Sequence, residues 1–474
     1  MSFAASDFHR YHPESVTNLP GNGGRMSRTP VSSAKHGLFP RVTKSQRTAG
    51  DVIYRKLFLA NVHPGNEAAA GVLAYLEAPS RGGDHFLLGR GSMRDVQADI
   101  EHGQPDWLGV GRLSASLTGG ELHVEVLMES PDAVFLNGGL IHISSKFKTN
   151  QAAPQSVKPG DSVQFDDAAG VWNAIPREDD VAFPKGVWLG DGLVLTDDDG
   201  GEEWLRLADN LHTGEIVGTG DGASNAPTLA NLSNAAAGIC TQQGKLPVLT
   251  ATCGGVARTV TIQPNGACTG YCAAGQMNTA EGVWAEAIAW TTPPDAGTDI
   301  IATYRENCFF YSGNVATVTL SQQVAETHDS SHTYCAGVME GGDLEPSIAN
   351  FDDSDTDNGV FDEIAHPVEL TALGTEEEDW SVVFTSATSY TVSGARIGAV
   401  GVGSVGEDFA PLNPVAATPY FTIRAAAWSG VWASGDSVGF TTHPAALPLW
   451  FKEVVPPGTP EEPYNLLTWG YWVD

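Results

Sequence analysis

Residues 52–62 read VIYRKLFLANV. Apolar side chains there exchange with polar or long ones at a two-residue period, the signature of a strand with one face on a core. The pattern recurs outward from this point. AGVLAYLEAPS (70–80), ELHVEVLME (121–129), GLIHISSKF (139–147), DSVQFDD (161–167) and GLVLTDDD (192–199) are short, alternating, and broken by turn residues. WSVVFTSATSYTVSGARIGAVGVG (380–403) and PYFTIRAAAWSGVWASGDSVGF (419–440) resume it. Helical periodicity is nearly lacking, and 54 glycines and 28 prolines punctuate the strands. The expectation is an all-β chain of several β-sandwich or barrel modules.

With 474 residues, 42% of them hydrophobic, the chain can bury more than one core. No run of eighteen apolar residues occurs, so no membrane insertion is expected. MSFAASDFHRYHPESV lacks the charged, apolar and cleavage regions of a secretory leader, so synthesis in a cytoplasm is expected.

Charge is distributed unevenly. The whole chain carries −32. Residues 1–56 hold nine Lys+Arg against three acids, +6, and the remainder holds 16 against 54, −38. An acidic body repels nucleic acid and anionic membrane. The basic N-terminal segment reads as an extended arm over residues 1–50, either a solvated tail or a strap laid on the acidic surface of another copy or a neighbouring protein. Leu38, Phe39, Pro40 and Val42 give it something to bury.

All six cysteines, Cys240, Cys253, Cys268, Cys272, Cys308 and Cys335, fall between Gly214 and Gly342. This confinement divides the chain into a β-sandwich-like domain (51–214), a cysteine-containing insert (215–342) and a C-terminal β domain with a Trp/Pro-rich tail (343–474). GDSVQF at 160–165 returns as GDSVGF at 435–440, which fits two β-modules flanking an insertion. For the cysteines, disulfides formed after release rank first, buried free thiols second, and zinc third. The zinc option would draw on Cys268, Cys272, His328, His332 and Cys335, at spacings unlike a known finger.

Catalytic motifs are absent. GVGSVG around Ser404 has Val402 where a nucleophile elbow needs glycine, and there is no HExxH, phosphate-cradling loop or dinucleotide fingerprint. No enzyme is expected. NFDDSDTDNGVFDE (350–363) sets Asp353, Asp355, Asp357 and Asp362 around a turn, hard oxygens of the kind calcium takes, with a solvated acidic loop as the plainer reading. A second acidic run, TDDDGGEEW (196–204), reads as a hairpin turn. Of twelve tryptophans, Trp450, Trp469 and Trp472 lie in an apolar terminal tail that needs a surface to dock on.

Gly23-Gly24, Leu38-Phe39-Pro40, Gly50, Tyr54-Arg55-Lys56-Leu57-Phe58 and Asn61, with WSGVWASGDSVGFTTHPAALPLWFKEVVPPGT at 428–459, resemble the terminal regions of virion structural proteins of tailed bacteriophages. The resemblance covers about the first hundred and last sixty residues. It implies a tail-tip or baseplate component that assembles into a symmetric ring with copies of itself and with other virion tail proteins. The arm residues Arg25, Arg28, Lys35, Phe39, Arg41, Lys44 and Arg47, together with the tail tryptophans, would form the inter-subunit contacts. A receptor-binding fibre or spike that attaches to a host surface glycan, and an envelope polysaccharide depolymerase, are the alternatives.

Overall fold

The computed structural model describes residues 3–473, except 33–35, 81, 104–105, 146, 150–161, 167–170, 176–185, 190–191, 197–200, 243, 331–332, 355, 357 and 462–466. Strands make up 51% of the chain and helix 4%, so the fold is all-β with several sheets.

The Asp51–Asn61 strand is the keystone, and its environment differs from a one-sided strand. It lies between Phe8–Ser15 and Ala446–Val455 in a five-stranded antiparallel sheet, whose order is Gly23–Pro30, Phe8–Ser15, Asp51–Asn61, Ala446–Val455, His85–Arg90. From Arg55 to Asn61 every residue is buried, on both faces. Leu57 and Leu59 pack against the large second sheet, while Phe58 and Ala60 pack on the other face with Tyr11, Met26 and Ala446. A central strand covered on both sides reads as a near-continuous apolar run. Arg55 and Lys56 look like outward positions in sequence, but both are buried.

The second sheet has nine strands. Its main path runs Glu202–Arg206, Leu140–Ser144, Tyr334–Leu344, Val110–Leu113, His123–Met128, Val315–Thr319, Phe309–Ser312. Ala69–Ala78 pairs with the far half of Tyr334–Leu344 and receives Thr468–Trp472 on its other edge. Leu57, Leu449 and Phe451 from the smaller sheet meet Val72, Leu76, Val110 and Val338 from the larger one. The two sheets thus form a central sandwich.

Two modules leave this sandwich and return to it. Residues 211–305 form a five-stranded sheet and a hairpin around Leu249, Val260, Ile288, Trp290, Ile300 and Tyr304. Residues 347–443 form a second five-stranded sheet with short hairpins. Its core is aromatic: Phe384 and Trp432 stack at 4.2 Å, and Trp380, Tyr390, Phe421, Trp428 and Phe440 fill in around them.

This topology corrects four expectations. The N-terminal segment is no extended arm, because two strands and a helical turn (Lys44–Ala49) build it into the sandwich. The insert ends near residue 305 instead of 342, since Tyr334–Leu344 is a central strand of the large sheet and carries Cys335 with it. Cys308 also belongs to the sandwich core. The C-terminal region divides likewise: 347–443 is a module, whereas Ala446–Val455 and Thr468–Trp472 are sandwich strands.

Candidate metal centre

Strand alternation sets up the site. Along Glu202–Arg206, Glu203 and Leu205 point inward and Glu202 and Trp204 point to the other face. Leu205 joins the sandwich core. Glu203 thereby becomes a buried carboxylate, and burying a charge without partners is costly. The chain crossing above it supplies two: Ala325 N–H donates to Oε1 at 3.0 Å, and Glu326 N–H donates to the same oxygen. Oε2 faces His328, whose Nε2 lies 3.9 Å away, beyond hydrogen-bond range.

His328 is held by its backbone. Its N–H donates to Leu117 O at 3.0 Å, and Leu117 N–H donates back to His328 O at 2.9 Å. The residue is 1% exposed, and neither ring nitrogen has a hydrogen-bond partner. Glu326 is exposed and turns its carboxylate to the same place; ligand atoms of Glu203, Glu326 and His328 lie within 4.8 Å of one another. Gly201 makes the wall. A Cβ there would stand 3.2 Å from Glu326 Oε2, a tight approach, and 3.5 Å from His328 Cε1, ordinary van der Waals contact, so a side chain would take the space between the two groups. Gly201 O also accepts from Ser145 N–H at 3.0 Å, which ties together the ends of the paired strands Leu140–Ser144 and Glu202–Arg206.

This grouping takes one residue from the expected zinc set and two from elsewhere. His328 is a member. Cys335 is wholly buried in the large sheet and Cys268 belongs to the 211–305 module, so neither joins it. His332 lies outside the described residues. Glu203 sits in the run that reads as a plain hairpin turn, and Glu326 has no motif around it.

The other site residues fall as follows. Arg28 reaches Glu376 at 3.6 Å and the Leu373 and Thr375 carbonyls, all in the same chain. Arg25 approaches Asp379 at 3.8 Å, and Arg41 and Arg47 reach Glu461 at 2.9 and 3.3 Å. Arg94 clamps Asp379 with two bonds of 2.7 Å and also pairs with Glu377. These bonds chiefly hold the Asp379 carboxyl down to about 2. Arg25, Arg28, Arg41 and Arg47 therefore pair with acids of their own chain, where a contact between subunits was expected. Phe39 packs edge-on against Phe86 at 5.4 Å. Lys44 is exposed, and Lys35 lies outside the described residues. Trp450 is completely buried and cannot be a contact between chains; Trp469 packs on Phe451, and Trp472 is half-exposed.

All six cysteines are free thiols, which corrects the disulfide expectation. Burial pushes the thiols up, Cys268 to about 11 and Cys308 to about 12. In the acidic loop, Asp355 and Asp357 lie outside the described residues. Asp362 Oδ1 accepts from Ala365 N–H at 2.9 Å, a local turn, and joins no metal-type grouping among the described residues.

A second cluster is acidic and buried. Ser80 N–H donates to Glu129 Oε2 at 3.0 Å, Ser80 Oγ donates to Asp84, and Glu453 hydrogen-bonds Asp84. Burial, with Asp84 close by, raises Glu129 and Glu453 to about 8, so both are neutral acids at neutral pH.

No family model, curated protein or solved structure matches this chain. No described helix is long and apolar enough to cross a membrane.

Proposed function

We propose that the protein is a structural component of a tailed-phage virion, a tail-tip or baseplate subunit made in the host cytoplasm and assembled with copies of itself. The observation that carries this reading is the double tethering of both peripheral modules. Residues 211–305 and 347–443 each leave and re-enter one central sandwich, so each is held by two chain connections. The 347–443 module is further clamped by Arg25, Arg28 and Arg94. Such a body suits transmission of load and suits a hinged catalyst poorly.

Assembly would use faces other than the basic segment. Ile364, Val402, Leu412, Val415 and Val431 of the 347–443 module are exposed and available to a neighbouring chain. Among tryptophans with described side chains, Trp472 alone is exposed, which supports the scaffold over glycan stacking. No reaction is assigned.

Two measurements on the full chain test the proposal: mass in solution by light scattering, and antibody labelling of phage particles viewed by electron microscopy. A mass of three or more chains with label at the tail tip is the expected result. A monomer at all concentrations, with no label on particles, would overturn it.

A further inference from the structure

We propose that Glu203, Glu326 and His328 bind one divalent transition-metal ion of the zinc class, and that this ion pins the segment 325–328 onto the Glu202–Arg206 strand. Three observations converge. The first is donor chemistry: one imidazole and two carboxylates suit zinc, whereas calcium and magnesium take oxygen alone.

The second is the unpartnered imidazole. A buried polar group almost always has a partner, yet both nitrogens of His328 are hidden from solvent and bonded to nothing. Its near neighbour, Glu203 Oε2, stops at 3.9 Å, too far for a hydrogen bond. A metal with bonds of about 2.0–2.2 Å to each atom spans that gap.

The third is support around the ligands. Glu203 is oriented by two backbone N–H groups, Glu326 N–H on Oε1 and Ala325 N–H shared between Oε1 at 3.0 Å and Oε2 at 3.3 Å, and Oε2 keeps a second lone pair for the metal. His328 is pinned by its two backbone bonds to Leu117, and Gly201 leaves room that a side chain would fill. Glu326 is the exposed member and swings in from solvent, leaving a fourth position for water. The ion would fasten the start of the Glu202–Arg206 strand to the segment that carries Glu326 and His328.

The test is titration of the chelator-treated full chain with zinc sulfate by calorimetry, with cobalt(II) spectra as a second readout. One equivalent should bind, and cobalt should show ligand-field bands without thiolate-to-metal charge transfer. Glu326→Gln, a change on the surface that leaves the core intact, should weaken zinc by at least about tenfold, and His328→Ala should weaken it further. Cys268→Ser/Cys272→Ser should leave zinc binding unchanged. Absence of stoichiometric zinc binding, full retention of affinity in both Glu326→Gln and His328→Ala, or a thiolate charge-transfer band would overturn the proposal.

Discussion

Asp95→Asn should loosen the centre of the molecule more than any surface substitution. Asp95 is the counter-ion of Lys56, whose side chain is 0% exposed. The ammonium also donates to Gly24 O at 2.8 Å and Asp95 O at 3.0 Å, and sits 4.8 Å from the Phe58 ring centroid. The other carboxylate oxygen accepts from Trp450 Nε1 and from Ser92 N–H, both at 3.0 Å. Gly23, at φ 113°, closes the assembly, since a Cβ there would come within 2.8 Å of Asp95 O. Through its carboxylate and its backbone carbonyl, which accepts from Gly24 N–H at 2.9 Å, Asp95 thus joins the Gly23–Pro30, Asp51–Asn61 and Ala446–Val455 strands.

Removing one partner of a buried ion pair costs about 3–5 kcal/mol, because the remaining charge is stranded in a poor solvent. Taking about 3 kcal/mol, the opening equilibrium rises roughly 150-fold at about 1.4 kcal/mol per factor of ten. Hydrogen exchange of peptides covering Asp51–Asn61 reads that factor directly, without assuming that three modules unfold together. Lys56→Met/Asp95→Asn should be less damaged than Asp95→Asn alone, with a coupling of at least about 1 kcal/mol. A change below about twofold in exchange for Asp95→Asn, or strict additivity in the double variant, would refute the buried pair.

Glu129 and Glu453 titrate near 8 in the folded chain against 4.5 ordinarily, so the folded state holds protons the unfolded state has lost. Their stabilisation is full below about pH 4.5 and disappears as pH rises through about 8, on the order of a few kcal/mol per group. Thermal midpoints should fall from pH 5 to pH 9, and Glu453→Gln should flatten that slope; a midpoint that rises over this range refutes the assignment. Deleting residues 1–31 should expose Phe58, Ala60 and Ala446 and remove the Gly24 acceptor of Lys56, so the product should aggregate in place of remaining a folded β-protein; a soluble, protected product would count against a structural N-terminus. Thiol titration should find six groups in denaturant, whereas Cys308 and Cys335 should resist maleimide in the native protein.

Fold class was legible because strand alternation and turn residues are local signals. Strand partnership was not. Asp51–Asn61 pairs with Ala446–Val455 over ten residues, almost the whole chain apart, and nothing local encodes that choice. The same distance hid the roles of Arg55 and Lys56, which look solvent-facing until Asn18, Gly24 and Asp95 close over them. Charge asymmetry between the N-terminus and the rest was a sound clue to an electrostatic contact. The acids that answer it, Glu376, Asp379 and Glu461, lie in the same molecule.

Cysteine confinement misled, since proximity in sequence placed Cys308 and Cys335 with an insert whose strands end at Arg305. At the metal centre His328 carried a visible signal. Glu203 was masked by acidic neighbours, and Glu326 becomes a ligand candidate only because Ala325 and Glu326 are brought against Glu203 from 122 residues further along the chain.

The central structural claim is that the basic N-terminal segment is locked into its own chain. Hydrogen exchange across Phe8–Ser15 and Gly23–Pro30, measured over a hundredfold range of protein concentration, tests it most directly. The account predicts slow exchange that does not vary with dilution. Protection that vanishes on dilution, or rapid exchange at every concentration, would contradict it.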